Sequence, residues 1–254
     1  MDALNQTLHS FEIIGPAFLA GLLVLATHVP LGRLVLERGI VFIDLAVAQV
    51  AGLGVVAASL AGFEPNGWSV QASAVAAALL CAFFLIWSEK RLGSVQEAVI
   101  GVVFVVAASA EIILLSFNPH GAEELKDLLV GQILWVLPEQ LIPVAVIYAG
   151  VLAVWLTVDL RKRRGLFYCL FAVTITASVQ LVGVFLVFAS LILPALAGLK
   201  ARRGLLTGYL VGLAGYALGL VASATLDFPT GAAVVCALAL VTGGVAVVRG
   251  IRRE

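Results

Sequence analysis

Phe42-Ile-Asp-Leu-Ala-Val-Ala-Gln-Val-Ala-Gly-Leu-Gly54 places an aspartate and a glutamine inside an otherwise apolar run. Asp44 and Gln49 are the only strongly polar side chains between Arg38 and Glu64. An ionisable group in a bilayer is costly unless it is paired or wetted, so Asp44 is a functional-site candidate. Just upstream, Thr27-His-Val-Pro-Leu-Gly-Arg33 adds an imidazole, His28, near the end of the preceding apolar segment. Two readings stand side by side. Asp44 and Gln49 are either hydrogen-bonding glue between helices or part of a transport pathway.

The rest of the chain sets the class. Of its 254 residues 62% are hydrophobic and only 12% charged, with a mean hydropathy of +1.14. A soluble domain of this size has no use for so much apolar surface. The apolar runs are continuous and rich in Ala, Val and Leu, unlike the alternating segments of a transmembrane β-barrel. The expected fold is therefore an all-α polytopic membrane protein. The formal net charge of zero gives no sign of a nucleic-acid partner. Cys81, Cys169 and Cys236 stand singly in apolar surroundings and read as small hydrophobes. Met1-Asp-Ala-Leu-Asn-Gln6 lacks the basic flank of a cleavable signal peptide, so the first apolar segment is expected to be retained.

Basic residues give the topology. They fall at Arg33 and Arg38, Lys90 and Arg91, Lys126, Arg161 to Arg164, Lys200 to Arg203, and Arg249 to Arg253. Between them lie apolar stretches near 11–31, 40–62, 68–88, 95–117, 138–158, 166–199, 205–226 and 230–248. Most suit one span of about 20 residues. The stretch 166–199 is longer and is flanked by basic clusters on both sides. Two short spans with a turn near Ser178–Val182, holding Gln180 and Gly183, put both clusters on one side. The count is then eight or nine spans, with the amino terminus outside and the carboxyl terminus inside. Every basic group except Lys126 is cytoplasmic in this arrangement, as the positive-inside rule favours.

The outer loop, about 117–137, is long enough for a short interfacial helix. Glu123, Glu124 and Asp127 recur at helical spacing opposite Leu128, Val130 and Leu134. Asn118-Pro-His-Gly-Ala-Glu-Glu124 brings His120 beside two glutamates, a weak divalent-metal pattern. Exposed acids are the normal case, so a solvated loop is the plainer reading. Glu64 and Asp227 add to the acidic outer side. Gly204, Gly208, Gly212, Gly215 and Gly219 follow small-xxx-small spacing, which reads as close helix packing. No GxxxxGK[ST], GxSxG or HExxH occurs. A translocation pathway without catalysis of its own is the expectation.

Three patches resemble the membrane subunit of the zinc/manganese/iron-type ABC importers. They are Leu31-Gly-Arg-Leu-Val-Leu-Glu-Arg38 running on to Gly54, Val182-Gly-Val-Phe-Leu-Val-Phe-Ala-Ser-Leu-Ile-Leu-Pro-Ala-Leu-Ala197, and Leu226-Asp-Phe-Pro-Thr-Gly231. Glu97-Ala-Val-Ile-Gly-Val-Val-Phe104 and Leu128-Leu-Val-Gly-Gln-Ile-Leu134 add weaker support. The resemblance implies a single permease domain over 1–254 with a type II ABC importer bundle of about 8–9 transmembrane helices. It also implies a homodimer in a bacterial plasma membrane, a separate ATPase that binds the ATP, and an extracytoplasmic metal-binding protein. The cargo is a divalent metal, with no permanently bound cofactor. The coupling element toward the ATPase falls at about 194–206, with Pro194, Lys200, Arg202, Arg203 and Gly204.

The sequence departs from the family in one place. Many members carry Gly-Asp-x-Leu-Ala-His in the second span. Aligned without a gap, Gln49 stands at the His position, and Asp44 is displaced by one from the Asp position. On a helix Asp44 and Gln49 point about 140° apart. Gln is a poorer zinc ligand than imidazole. His28 and Glu97 lie at the depth of Asp44, judged from Arg33, Arg38 and Arg91. Asp44 and His28 are thus the candidate metal contacts, with Gln49, Glu97 and Glu111 as further pathway candidates. His120, Glu123, Glu124 and Asp227 are candidates for metal entry. Two alternatives remain: a permease of the same fold for a metal chelate or other small solute, and a secondary transporter driven through Asp44 and Glu111.

Overall fold

The computed structural model describes residues 2–64, 67–199 and 201–251, with side chains described from 14 to 248 within those ranges. The described residues form ten α-helices and two short 3-10 turns, with no strand. In chain order they are α1 (Asp2–Arg38), α2 (Ile43–Leu60), α3 (Trp68–Leu92), α4 (Gln96–Leu115), α5 (Gly121–Val130), α6 (Pro138–Thr157), α7 (Arg164–Val182), α8 (Val184–Gly198), α9 (Gly204–Leu226) and α10 (Thr230–Ile251).

Among the described residues, seven helical stretches are long and apolar enough to cross a membrane. The longest, Trp68–Leu115, has 48 residues and would be about 72 Å if straight. It is two spans. At its start Ser73 Oγ donates to the Gly54 carbonyl near the end of α2, while Glu97 meets Phe42 at the start of α2. The chain therefore reverses at the 3-10 turn Gly93–Val95. Gln96 locks this turn, accepting from Ser88 Oγ at 2.9 Å and donating to the Leu85 carbonyl at 3.1 Å. Dividing that stretch raises the spans among the described residues to eight, and α8 adds a shorter apolar helix of 15 residues.

Residues 166–199 form a hairpin of α7 and α8, 19 and 15 residues long. At the start of α7, Arg38 donates to the Leu160 carbonyl and Arg161 pairs with Glu37. At the end of α8, Gly198 lies against Gly204, which in turn lies beside Arg33. Both ends of the hairpin thus sit at one basic end of the bundle. The break falls at Gly183, with φ +83°. The expected turn held Gly183, but Ser178–Val182 belong to α7 and not to the turn. Ser178 and Gln180 continue α7, because Ser178 is satisfied inside the bundle and Gln180 is exposed. At about 22 Å, α8 falls short of a 30 Å hydrocarbon core.

Packing follows the small residues. Gly208 and Gly212 of α9 lie against Val29 and Leu25 of α1, while Gly215 and Gly219 lie against Leu238 and Val234 of α10. Each partner pair is spaced by four, so α9 runs antiparallel to both neighbours along glycine grooves. Pro30 lies inside α1 and has no N–H for the Ala26 carbonyl. Tyr209 of α9 supplies the missing donor at 3.0 Å. That exchange lets a proline stay inside a membrane helix. The first helix also runs on to Arg38, past the expected end near residue 31, aided by the Arg33–Glu37 pair one turn apart.

Exposed Leu, Val, Ile and Phe side chains line α3, α4 and α6, among them Leu80, Phe83, Val102, Val106, Ile142 and Val146. These outward faces suit hydrocarbon. The acidic spacing after Ser116 does form a helix, α5, with Glu123 and Asp127 outward and Leu128 and Val130 half-buried.

Candidate functional site

His28 is fully buried on α1. Its Nδ1 lies 2.9 Å from the Val24 carbonyl and 3.1 Å from Thr27 Oγ1. A carbonyl only accepts, so in the neutral ring Nδ1 carries the hydrogen. Nε2 is then a bare acceptor, and it has no partner. The imidazole faces Tyr148 of α6, with ring centroids 6.5 Å apart.

Tyr148 belongs to a buried polar pair. Ser178 Oγ donates to the Thr174 carbonyl at 2.6 Å, so the Tyr148 hydroxyl donates to Ser178. A second buried pair, Ser190 and Tyr216, joins α8 to α9 at 2.8 Å. Neither pair was among the sequence candidates. The available signal was a hydroxyl in each of four apolar helices, but pairing across 30 and 26 residues depends on the fold.

The other candidates gather on α2 and α4. Asp44 sits in the first turn of α2, 1% exposed, and its Oδ1 has no partner. Gln49 follows on α2 and is also buried. Glu97, in the first turn of α4, accepts the Phe42 backbone N–H at 3.2 Å through Oε1, while its Oε2 is buried without a partner. Glu111 is buried further along α4, where Gly52 leaves room for its carboxylate. A Cβ on Gly52 would stand 2.7 Å from Glu111 Oε1.

Thus Asp44, Gln49, Glu97 and Glu111 share the α2–α4 pair, whereas His28 lies on α1 and faces Tyr148 of α6. Among the described residues, no group of three or more His, Cys, Asp and Glu side chains is arranged to hold a metal ion. On the acidic loop, His120 Nδ1 lies 3.7 Å from Glu123, both highly exposed. Glu124 accepts from Asn118 at 2.8 Å. Asp227 is exposed and caps α9 in a left-handed conformation, φ 56°.

Of the expected coupling segment, Pro194 is buried in α8, and Arg202 and Arg203 are exposed in the turn before Gly204. Lys200 lies outside the described residues. No separate helix intervenes between α8 and α9 among the described residues.

The sequence profile of the ABC 3 transport family matches residues 10–163 and 152–248. The chain belongs to the ABC 3 transport family. It is accordingly a multi-pass membrane permease of an ABC transporter, and the ion-gradient alternative falls away. Solved structures agree on the fold. One is PsaBC from Streptococcus pneumoniae in complex with a Fab, at 19% identity and a TM-score of 0.77, covering 96% of this chain and 95% of that one. Another is an inward-facing metal-chelate type ABC transporter, at 16% identity and a TM-score of 0.68, covering 91% of this chain and 85% of that one. At these identities the likeness concerns the bundle and says nothing of cargo.

Proposed function

We propose that this chain is the translocation subunit of an importer for a divalent metal ion, zinc, manganese or iron. Two copies would enclose one path in a bacterial plasma membrane. A separate ATPase would dock at the basic end, facing the cytoplasm, around Arg202, Arg203 and Gly204. An extracytoplasmic metal-binding protein would deliver cargo to the acidic end, where His120, Glu123, Glu124 and Asp227 lie. The metal is cargo, and ATP binds to the partner ATPase.

The observation that supports this reading best is the family match over nearly the whole chain. Asp44 is the leading pathway residue, because its Oδ1 is buried and unpartnered in an apolar span. A metal chelate is the second reading. Gln49 standing where imidazole is common favours it.

Cells lacking the chain, with and without its return, are to be assayed for zinc, manganese and iron content. One metal should fall and recover. Asp44→Ala should fail to restore it at normal membrane abundance. Unchanged content of all three metals would refute ion import, and restored uptake of a supplied chelate would select the second reading. Cysteine crosslinking from Ala201 to the co-expressed ATPase tests the docking end, and crosslinks confined to Lys90–Gly93 would refute it.

A further inference from the structure

The amino terminus of α2 is incompletely capped by its own sequence. Phe42 occupies the N-cap position and offers no side-chain acceptor. In a capping box the residue three places on, Glu or Gln, reaches back to the N-cap N–H. Here that residue is Leu45. Glu97 of α4 stands in for it, accepting the Phe42 N–H at 3.2 Å. Its placement is built in from the neighbouring turn. Gln96 is bonded to α3 through Ser88 and Leu85, and the next residue, about 100° around the helix, reaches α2. The Phe42 ring is held from a third side, parallel to Phe188 of α8 at 6.4 Å between centroids.

Asp44 lies two residues beyond this junction, in the same turn of α2. Whatever fixes Phe42 fixes the height and rotation at which Asp44 meets the interior. We infer that Glu97 is a positioning residue: it supplies from α4 the capping acceptor that α2 lacks, and so holds Asp44 in place for transport. The inference rests on Asp44 lining the pathway and gives Glu97, a pathway candidate in the sequence, a positioning role instead of a contact with the cargo. A cap needs only an oxygen acceptor of the right reach, whereas a metal contact needs the carboxylate charge.

Glu97→Gln keeps the acceptor and removes the charge. Glu97→Met keeps the length and removes both. Two readouts are taken on the full chain: metal uptake against concentration in cells expressing the whole transporter, and hydrogen exchange of residues 40–48 in the purified protein. Glu97→Met should speed exchange in that segment and raise the half-saturation concentration about fivefold, the scale of a lost cap. Glu97→Gln should behave as wild type in both. A merely structural defect would lower abundance and maximal rate together and leave half-saturation unchanged, which overturns the inference. So does Glu97→Gln failing like Glu97→Met, or Glu97→Met exchanging at the wild-type rate. If the wild-type protein moves none of the three metals, the import reading fails, and exchange alone decides whether Glu97 caps α2.

Discussion

The two ends of the bundle are fastened by different chemistry. At the basic end long side chains reach between elements, over main-chain contacts of Gly32 with the Leu191 carbonyl and of Gly198 with Gly204. Glu37 accepts from Arg33 at 3.2 Å and from Arg161 at 2.9 Å, and Arg164 meets Glu89 at 3.3 Å. Arg38 donates to the Leu160 carbonyl at 2.9 Å, and its guanidinium lies 4.4 Å from the centre of the Phe167 ring. At the opposite end the main chain itself makes the contact. Gly131, just after α5, presses on the Val182 carbonyl and Gly183, while Gly231 of α10 presses on the Val130 carbonyl. Exposed ion pairs stretch and re-form at little cost. A backbone-to-backbone contact is either seated or lost. On this basis the side-chain pairs of the basic end should give way one at a time, and the clasp of Gly131, Gly183 and Gly231 should hold or fail as one unit.

The largest expected effect breaks the clasp. Gly131 and Gly183 both have positive φ, +73° and +83°. A Cβ on Gly131 would fall on the Val182 carbonyl, and one on Gly183 would fall on the Gly131 backbone. Strain in a conformation that L side chains rarely adopt costs about 1–3 kcal/mol, and overpacking adds a similar amount. Gly131→Ala and Gly183→Ala should each strongly reduce folded protein in the membrane, measured by detergent extraction and size-exclusion chromatography. Wild-type yield from either would show that the clasp yields like a surface contact.

Arg38→Ala should come next. It removes charge-assisted bonds to a carbonyl and the stacking on Phe167, about 2 kcal/mol together. Arg38→Lys should not fully restore stability, because an ammonium lacks the planar fork that faces both the carbonyl and the ring. Thermal unfolding in detergent gives the order. A Lys variant equal to wild type would reduce Arg38 to a point charge.

Between the two ends, Tyr148→Phe tests the buried middle. Ser178 keeps its bond to the Thr174 carbonyl in the variant, so no hydrogen is orphaned. The loss should be about 1 kcal/mol, read as a small drop in unfolding temperature. A loss as large as that of the glycine variants would make the Tyr148–Ser178 pair a main fastening.

How much of this was legible follows from where each signal lives. Arg161 to Arg164 and Lys200 to Arg203 flank one long apolar run, and charge alone required the α7–α8 hairpin. Glu123, Glu124 and Asp127 announced α5 by local spacing. The exact turn was not legible. Gln180 is polar and reads as a loop residue, yet it continues α7 as an exposed helical position. The Tyr148–Ser178 and Ser190–Tyr216 pairs were invisible because each half is an ordinary hydroxyl until two helices meet. Glu97 was visible as an acid at the depth of Asp44. Its bond to the Phe42 N–H required knowing that α4 starts beside the start of α2.

Arg161→Ala carries the smallest expected effect and sharpens the comparison most. The Arg161 side chain is 62% exposed and that of Glu37 31% exposed, so water screens their attraction. Glu37 also keeps Arg33, one turn away on the same helix. Removing Arg161 therefore leaves no uncompensated buried charge, and the loss should stay within about 0–1 kcal/mol. The Arg38 bond to the Leu160 carbonyl still ties α1 to the segment before α7. Unfolding temperature should barely move, and added salt should not change the difference between variant and wild type by much. Arg161→Ala combined with Arg38→Ala should lose about what the single variants lose together, if each fastens independently. A loss well beyond that sum would mean that the basic end also holds or releases as one unit, and the contrast with the glycine clasp would disappear.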